Sequence, residues 1–263
     1  MSSFILNIKK GSFFKGGSYL SLVSIAFVFV LWFTLTEEGL GLVRAVIFPS
    51  PKMVLDAAIS TSSLIGTDIL YTMFRVLAGL ISGTLIGIVV GVLVCFNQKI
   101  YYLLNPLIES ARPVPVIAMI PFFLMWFGIG ETGKFLLVTL GVFSIIVINT
   151  IESIRNVPPI YVKAGQTLGA KKKDIYTKII LPSIIPSLIG PIRVCVAMSF
   201  TLVVAAEFMG AQAGMGYRIL QARKMFNTDV IFLGVVMFGI LSALVDTIIR
   251  KFLTYLTRWT ERT

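Results

Sequence analysis

Three features of this sequence could carry chemistry. The first is Gly128-Ile129-Gly130-Glu131-Thr132-Gly133-Lys134, which matches most of a phosphate-binding loop. Such a loop cradles phosphates in backbone N–H groups and needs Ser or Thr after the lysine to ligate magnesium. Phe135 stands at that position and no strand precedes the loop, so nucleotide binding is excluded here. The second is a set of ionisable residues inside apolar stretches: Arg75, Glu109, Arg112, Arg193, Glu207 and Asp246. A charge at mid-membrane costs ~2–3 kcal/mol on the insertion scale, so these are candidate pathway or gating residues. Interfacial anchoring or pairing between subunits accounts equally well for Arg75, Glu207 and Asp246. Glu109 and Arg112 lie three apart on one helical face and can pair. The third is a basic stretch from Lys163 to Pro186, between two long apolar segments.

Other chemistry is absent. There is no histidine, and the two cysteines, Cys95 and Cys195, both sit in apolar segments. A structural disulfide or a metal site is not expected. No nucleophile, base and orienting group come together in the sequence, so the chain does not read as an enzyme.

The elements that must position these residues are membrane spans. Of 263 residues, 57% are hydrophobic and only 13% charged, with a mean hydropathy of +0.93. Apolar runs of about 20 residues recur, each long enough to cross a bilayer. The expected fold is all-α and polytopic, with about six transmembrane helices near 19–35, 69–96, 102–127, 134–153, 179–208 and 230–256. These form one transmembrane domain, 19–256, between a polar tail at 1–18 and another at 257–263. The first span has no small-residue cleavage site after it and reads as retained.

Six spans put both termini on one side. Taking that side as cytoplasmic puts Lys9, Lys10, Lys15, Lys99, Arg155, Lys163, Lys171, Lys172, Lys173, Lys178, Arg250, Lys251, Arg258 and Arg262 inside. Arg44, Lys52, Lys134, Arg218, Arg223 and Lys224 fall outside. That bias follows the positive-inside rule. It also explains the formal charge of +11 by topology and not by nucleic-acid binding.

Two spans carry more detail. The second has Gly79, Gly83, Gly87 and Gly91, one every fourth residue, a ladder that lets helices approach closely in lipid. Static packing is the preferred reading of it, over a helix pair that slides. The third has Pro106, Pro113, Pro115 and Pro121. Proline bends a span and is tolerated where the helix lines a cavity, so Pro113 and Pro115 are pathway candidates with Glu109 and Arg112. A kink near the surface is the alternative.

The basic stretch begins after Pro158-Pro159, a helix start. Tyr161, Ala164 and Leu168 then recur on one face. Gly165 and Gly169 give small-residue surface, and Ile175, Tyr176, Ile179 and Ile180 form a second amphipathic run before Pro182 and Pro186. Two short helices with a bend are expected on the membrane surface.

This stretch resembles the cytoplasmic signature loop of permeases in binding-protein-dependent ATP-binding-cassette importers: Glu-Ala-Ala, three residues, Gly, then Leu-Pro. Ala164, Gly165, Gly169, Leu181 and Pro182 fit; Lys163 replaces the usual Glu, and Gly165 the second Ala. Further motifs are similar to the nitrate, sulfonate and taurine branch. They are Phe48-Pro49-Ser50-Pro51, Arg75-Val76-Leu77-Ala78-Gly79, Arg112-Pro113-Val114-Pro115, Trp126 to Glu131, Asn149-Thr150, Ala205-Ala206-Glu207, Gly214-Met215-Gly216-Tyr217 and Thr228-Asp229.

The resemblance implies a type I importer permease in a bacterial cytoplasmic membrane. Two copies, as a homodimer, would surround the pathway. Two ATPase subunits would dock on the coupling loop, 158–178, through Ala164, Gly165, Leu168, Gly169, Ala170, Asp174 and Pro182. Those subunits would hold the ATP and magnesium, leaving this chain without a cofactor. A binding protein would deliver a small solute to the outer face, either a nitrate-, sulfonate- or taurine-like anion or a vitamin precursor. An anion would suit Arg75, Arg112 and Arg193. The competing reading is a secondary transporter or channel working without ATP, with Glu109, Glu207 and Asp246 as its coupling groups. A third is a membrane scaffold subunit with no transport role.

Overall fold

A computed structural model of the chain describes residues 18–36 and 39–258. The readings at 1–17, Glu37, Glu38 and 259–263 lie outside the described residues. Ten helices are named here among those described: α1 Ser18–Leu35, α2 Pro51–Ser60, α3 Ser62–Phe96, α4 Gln98–Ala111, α5 Ile120–Phe127, α6 Glu131–Arg155, α7 Pro159–Thr167, α8 Lys172–Gly210, α9 Met215–Lys224 and α10 Thr228–Leu256. Many of their residues are Ile and Val, weak helix formers in water. In lipid every backbone group must be bonded within its segment, which leaves the helix as the available structure.

Four helices, α3, α6, α8 and α10, are long and apolar enough to cross a membrane, or five spans if the bent pair below counts as one. α1 is shorter, at 18 residues. The chain is therefore all-α and polytopic, and the count of six is not reproduced as six straight spans.

Two compact units are formed. In the smaller, residues up to 62 with 222–233, Ser50 caps α2 by accepting a hydrogen bond from the Met53 N–H at 3.2 Å, and Pro51 opens the helix. The Phe48–Pro51 turn is thus a helix start. Trp32 donates its indole N–H to the Pro49 carbonyl at 2.9 Å and gathers Phe48 and Phe232 around it.

In the larger unit one core joins four helices. Val76 and Leu80 of α3, Val138, Val142 and Ile146 of α6, Val196, Phe200 and Val203 of α8 and Val245 of α10 are all buried together. The glycine ladder fixes the α3–α6 approach. A Cβ on Gly83 would sit 2.6 Å from Val142 Cβ and 2.7 Å from the Thr139 carbonyl, and one on Gly87 would sit 2.9 Å from Ile146 Cβ. Ser82 and Thr139 hydroxyls meet across the same seam at 2.8 Å.

The fold differs from the sequence reading at three places. The third span, 102–127, is not one helix: α4 and the 116–127 segment meet at 89°. Arg112 still holds α backbone angles, but Pro113 and Pro115 after it have no N–H with which to continue the helical bonding. The second span starts earlier, at Ser62. The second amphipathic run is no separate surface helix. It is the start of α8, joined to the span through a π turn at Tyr176–Ile180. Pro182 has no N–H to bond the preceding turn, and a wider turn there accommodates its ring.

Candidate functional site

Most of the residues singled out collect at the two ends of the larger unit. Arg75 and Phe96 lie 21 residues apart on α3, roughly 30 Å of helix, about one hydrocarbon thickness.

At one end lies the loop between α6 and α8. Its helix α7 stops in a Schellman turn: the Gly169 N–H bonds the Gln166 carbonyl at 2.9 Å and the Ala170 N–H bonds Gly165 at 3.0 Å. That turn puts its closing residue in the left-handed region, and Gly169 has φ +77°, where glycine carries no steric penalty. The two loop glycines therefore differ in purpose. Gly165 is the close-packed one: a Cβ there would come within 2.7 Å of Ile179. Gly169 has open space around its Cα and serves the backbone alone.

With α7 tied to α8 in this way, Leu168 is left 87% exposed at the turn. Beside it runs an open groove of about 720 Å³, lined by Tyr161, Ala164, Ile179 and Pro182 among others. Ala164 faces solvent, Ala170 and Pro182 are half-buried, and Asp174 pairs with Lys178 one turn on, at 2.9 Å. α7, its turn and the start of α8 form one small core around Ile175, Ile180 and Ile184. The turn that carries Leu168 is thereby packed onto the start of a spanning helix.

At the other end is a buried ionic cluster. Arg75, 2% exposed, donates from Nε and Nη2 to both oxygens of Glu131, at 2.6 and 2.7 Å. Its Nη1 donates to Glu207 Oε1 at 2.5 Å and to the Ala213 carbonyl at 2.8 Å. Glu207 is fully buried and also accepts from Thr72 Oγ1 at 2.9 Å and the Gly216 N–H at 2.7 Å. Asp68 accepts from the Gly214 N–H and from Arg218, both at 2.8 Å. The Met215 N–H goes to Thr72 Oγ1 at 2.9 Å.

The unbonded N–H groups that open α9 are thus satisfied by Asp68 and Thr72 of α3 and Glu207 of α8, as a helix start requires. Gly214, at φ +126°, lies so close to Arg75 and Glu207 that a Cβ would overlap both. Lys134 donates to the Ile129 carbonyl at 2.8 Å and to Glu131 at 3.2 Å. Glycine and lysine of the phosphate-loop look-alike therefore close a helix end and orient a carboxylate.

The remaining candidates are surface pairs. Arg193 and Asp246 form a bidentate pair, 2.8 Å on both arms, between α8 and α10; they are 43% and 29% exposed. Arg112 pairs with Glu152 at 3.6 Å and not with Glu109. The 3.6-residue helix does not continue past Ala111, so the spacing argument for that pair fails at the break. Glu109, Pro113 and Pro115 are exposed. Each arginine expected to attract an anion is engaged with a carboxylate in this conformation. Sequence reasoning missed Asp68, Thr72, Glu131 and Arg218. The first two recur with Arg75 and Gly79 at helical spacing, a polar stripe on an apolar helix that could have revealed them.

Comparison with known proteins points one way. The profile of the family described as "Binding-protein-dependent transport system inner membrane component" matches residues 83–262. The chain is 28% identical over 247 residues to the taurine transport system permease protein TauC of Escherichia coli, covering 91% of this chain and 89% of that one. It is 31% identical over 224 residues to the putative aliphatic sulfonates transport permease protein SsuC of Bacillus subtilis, covering 84% and 81%. A probable ABC transporter permease of Brucella abortus is 32% identical over 249 residues, covering 94% and 97%. Among solved structures, an inward-facing form of the MetNI methionine ABC transporter matches with a TM-score of 0.66 and 22% identity, covering 75% of this chain and 98% of that chain.

Proposed function

Because this chain belongs to the inner-membrane components of binding-protein-dependent transport systems, we propose that its 158–178 loop is the part worked by a separate ATPase. The chain itself is a multi-pass permease of an ABC importer of the taurine and sulfonate type. The observation that carries the proposal is Leu168: a large apolar side chain held out in solvent, on a turn that packs against the start of the spanning helix α8. An exposed apolar anchor on a rigid mount is what a partner's groove can grip.

In this reading two permease copies enclose the pathway, and the ATPase subunits hold ATP and magnesium. The loop and both termini are cytoplasmic, as the lysine bias suggests. The binding protein approaches the opposite end, where the Arg75 cluster ties down the 211–216 turn. The solute is a small sulfonate or related anion, by analogy with the named relatives. Arg75 acts as a lock and not as a free cation for that solute, since two carboxylates already engage it. The relatives are permeases of transport systems, which disfavours a secondary transporter or channel working without ATP.

The test is co-purification of the permease with the ATPase subunit of its transport system. Leu168→Asp is expected to lower recovery of the ATPase roughly tenfold or more, the effect of losing an apolar hot spot. Undiminished recovery from a folded variant overturns the assignment.

A further inference from the structure

A second pocket on the loop's end of the bundle has no part in the reading above. It holds about 400 Å³ between the end of α3, the start of α4, the end of α6 and the start of α8. Arg155 and Lys172 supply its charge, and Tyr101, Tyr102, Tyr176 and Gln98 most of its polar wall. No carboxylate lines it: nearby Glu152 is engaged by Arg112, and Asp174 by Lys178. Among the described residues neither Arg155 nor Lys172 forms an ion pair.

The donors in this pocket are only partly used. Lys172 Nζ gives one hydrogen bond, to the Phe96 carbonyl at 2.6 Å, and lies 4.7 Å from the centre of the Phe96 ring. Arg155 gives a long one to the Tyr101 hydroxyl, 3.4 Å. The Gln98 amide donates to the Tyr102 hydroxyl at 3.2 Å, so Tyr101 and Tyr102 keep an O–H to donate, while Tyr176 gives its own to the Cys95 carbonyl at 2.6 Å. Two ammonium N–H groups, most of a guanidinium and two hydroxyls face a space with no acceptor to match. That is the chemistry of a phosphate site, since phosphate accepts several charge-assisted bonds at once.

The position selects which phosphate. The pocket opens where three membrane-crossing helices end, and Tyr102, 67% exposed, stands on its rim with exposed Leu103 beyond. Tyrosines gather at the headgroup level of a bilayer, and basic pockets between spans on the cytoplasmic side take anionic headgroups. We infer that the Arg155–Lys172 pocket binds the phosphate headgroup of an anionic phospholipid in the leaflet that faces the coupling loop. Lys172 opens α8 just after the Leu168 turn, so a bound headgroup braces the base of that turn.

The placement in the cytoplasmic leaflet rests on the topology proposed above; the binding itself does not. Native mass spectrometry of the purified full chain in detergent is blind to sidedness, so the two readings fail separately. The probes are dioleoyl phosphatidylglycerol, dioleoyl phosphatidylcholine and inorganic phosphate. Phosphatidylglycerol is expected to bind in preference to phosphatidylcholine. Its affinity should fall about fivefold with Arg155→Gln or Lys172→Gln and roughly 25-fold with both, at about one fivefold step per basic residue. Lys173→Gln removes the same charge outside the pocket and should change affinity less than about twofold. Arg155→Lys and Lys172→Arg should keep most of the affinity, which separates lost charge from lost fold. Equal losses in Lys173→Gln, or no loss in the single variants, overturns the pocket. Displacement of the lipid by millimolar inorganic phosphate assigns the site to the soluble anion and overturns the headgroup.

Discussion

Replacing Glu207 by Gln tests whether the ionic cluster holds α3, α6, α8 and the 211–216 turn together. Three donors converge on this carboxylate: Arg75 Nη1, Thr72 Oγ1 and the Gly216 N–H. An amide has nearly the same shape but only one accepting oxygen. If that oxygen keeps Arg75 and Thr72, the amide nitrogen faces the Gly216 N–H, donor against donor. Leaving one buried N–H unpaired costs about 1–3 kcal/mol. Arg75 also loses one of its two carboxylates, although Glu131 remains on its other face. Neutral hydrogen bonds within membrane bundles average only ~0.6 kcal/mol, because the unfolded chain in lipid finds other partners. A fully buried carboxylate on a guanidinium belongs to a costlier class, about 3–5 kcal/mol when one partner is removed outright. Gln, which keeps the volume and part of the bonding, should therefore destabilise by about 2–4 kcal/mol. Reversible denaturation in mixed micelles, followed by Trp fluorescence, measures this. A shift below about 0.5 kcal/mol, the scatter of neutral surface changes, refutes the claim that the cluster is a structural lock.

Four further outcomes are expected. Gly83→Ala should destabilise by about 1–3 kcal/mol in the same assay, since its new methyl meets Val142 and the Thr139 carbonyl, a case of overpacking. Gly66→Ala, on the same helix where a Cβ would meet nothing within 4 Å, should be neutral or stabilising by up to about 1 kcal/mol. Gly169→Ala forces an L-residue to φ +77° and should cost about 1 kcal/mol, lowering ATP-driven uptake more than global stability. Asp246→Asn breaks a pair that is partly exposed and should destabilise less than Glu207→Gln, whose carboxylate is fully buried.

The parts of this molecule legible in its sequence are those where lipid leaves one solution. Uncharged runs of span length must be helices, and glycine at every fourth residue must mark a close seam, although only the structure shows α6 on the other side of it. Arg75 and Glu207 stood out because an isolated charge in an apolar run demands a partner. Which partner was not legible, because Glu207 lies 132 residues from Arg75 and nothing local links them. Asp68 escaped because the expected span begins at residue 69, one position after it, while the helix starts at Ser62. Glu131 and Lys134 were set aside with a motif they only imitate. The break after Ala111 was written in the two prolines that follow, Pro113 and Pro115, but the apolar character on both sides concealed it. The start of α8 reads as a surface helix because Ile175, Tyr176, Ile179 and Ile180 form an amphipathic run beside basic residues, while its π turn joins it to the span.

Uptake into vesicles tests the central claim most directly. Purified permease is reconstituted alone, or together with its ATPase and binding protein, and entry of labelled taurine or an alkanesulfonate is followed with and without ATP. The account predicts entry only in the complete, ATP-supplied system, and its loss in Leu168→Asp while the permease still folds. Entry through the permease alone at the rate of the complete system would contradict it.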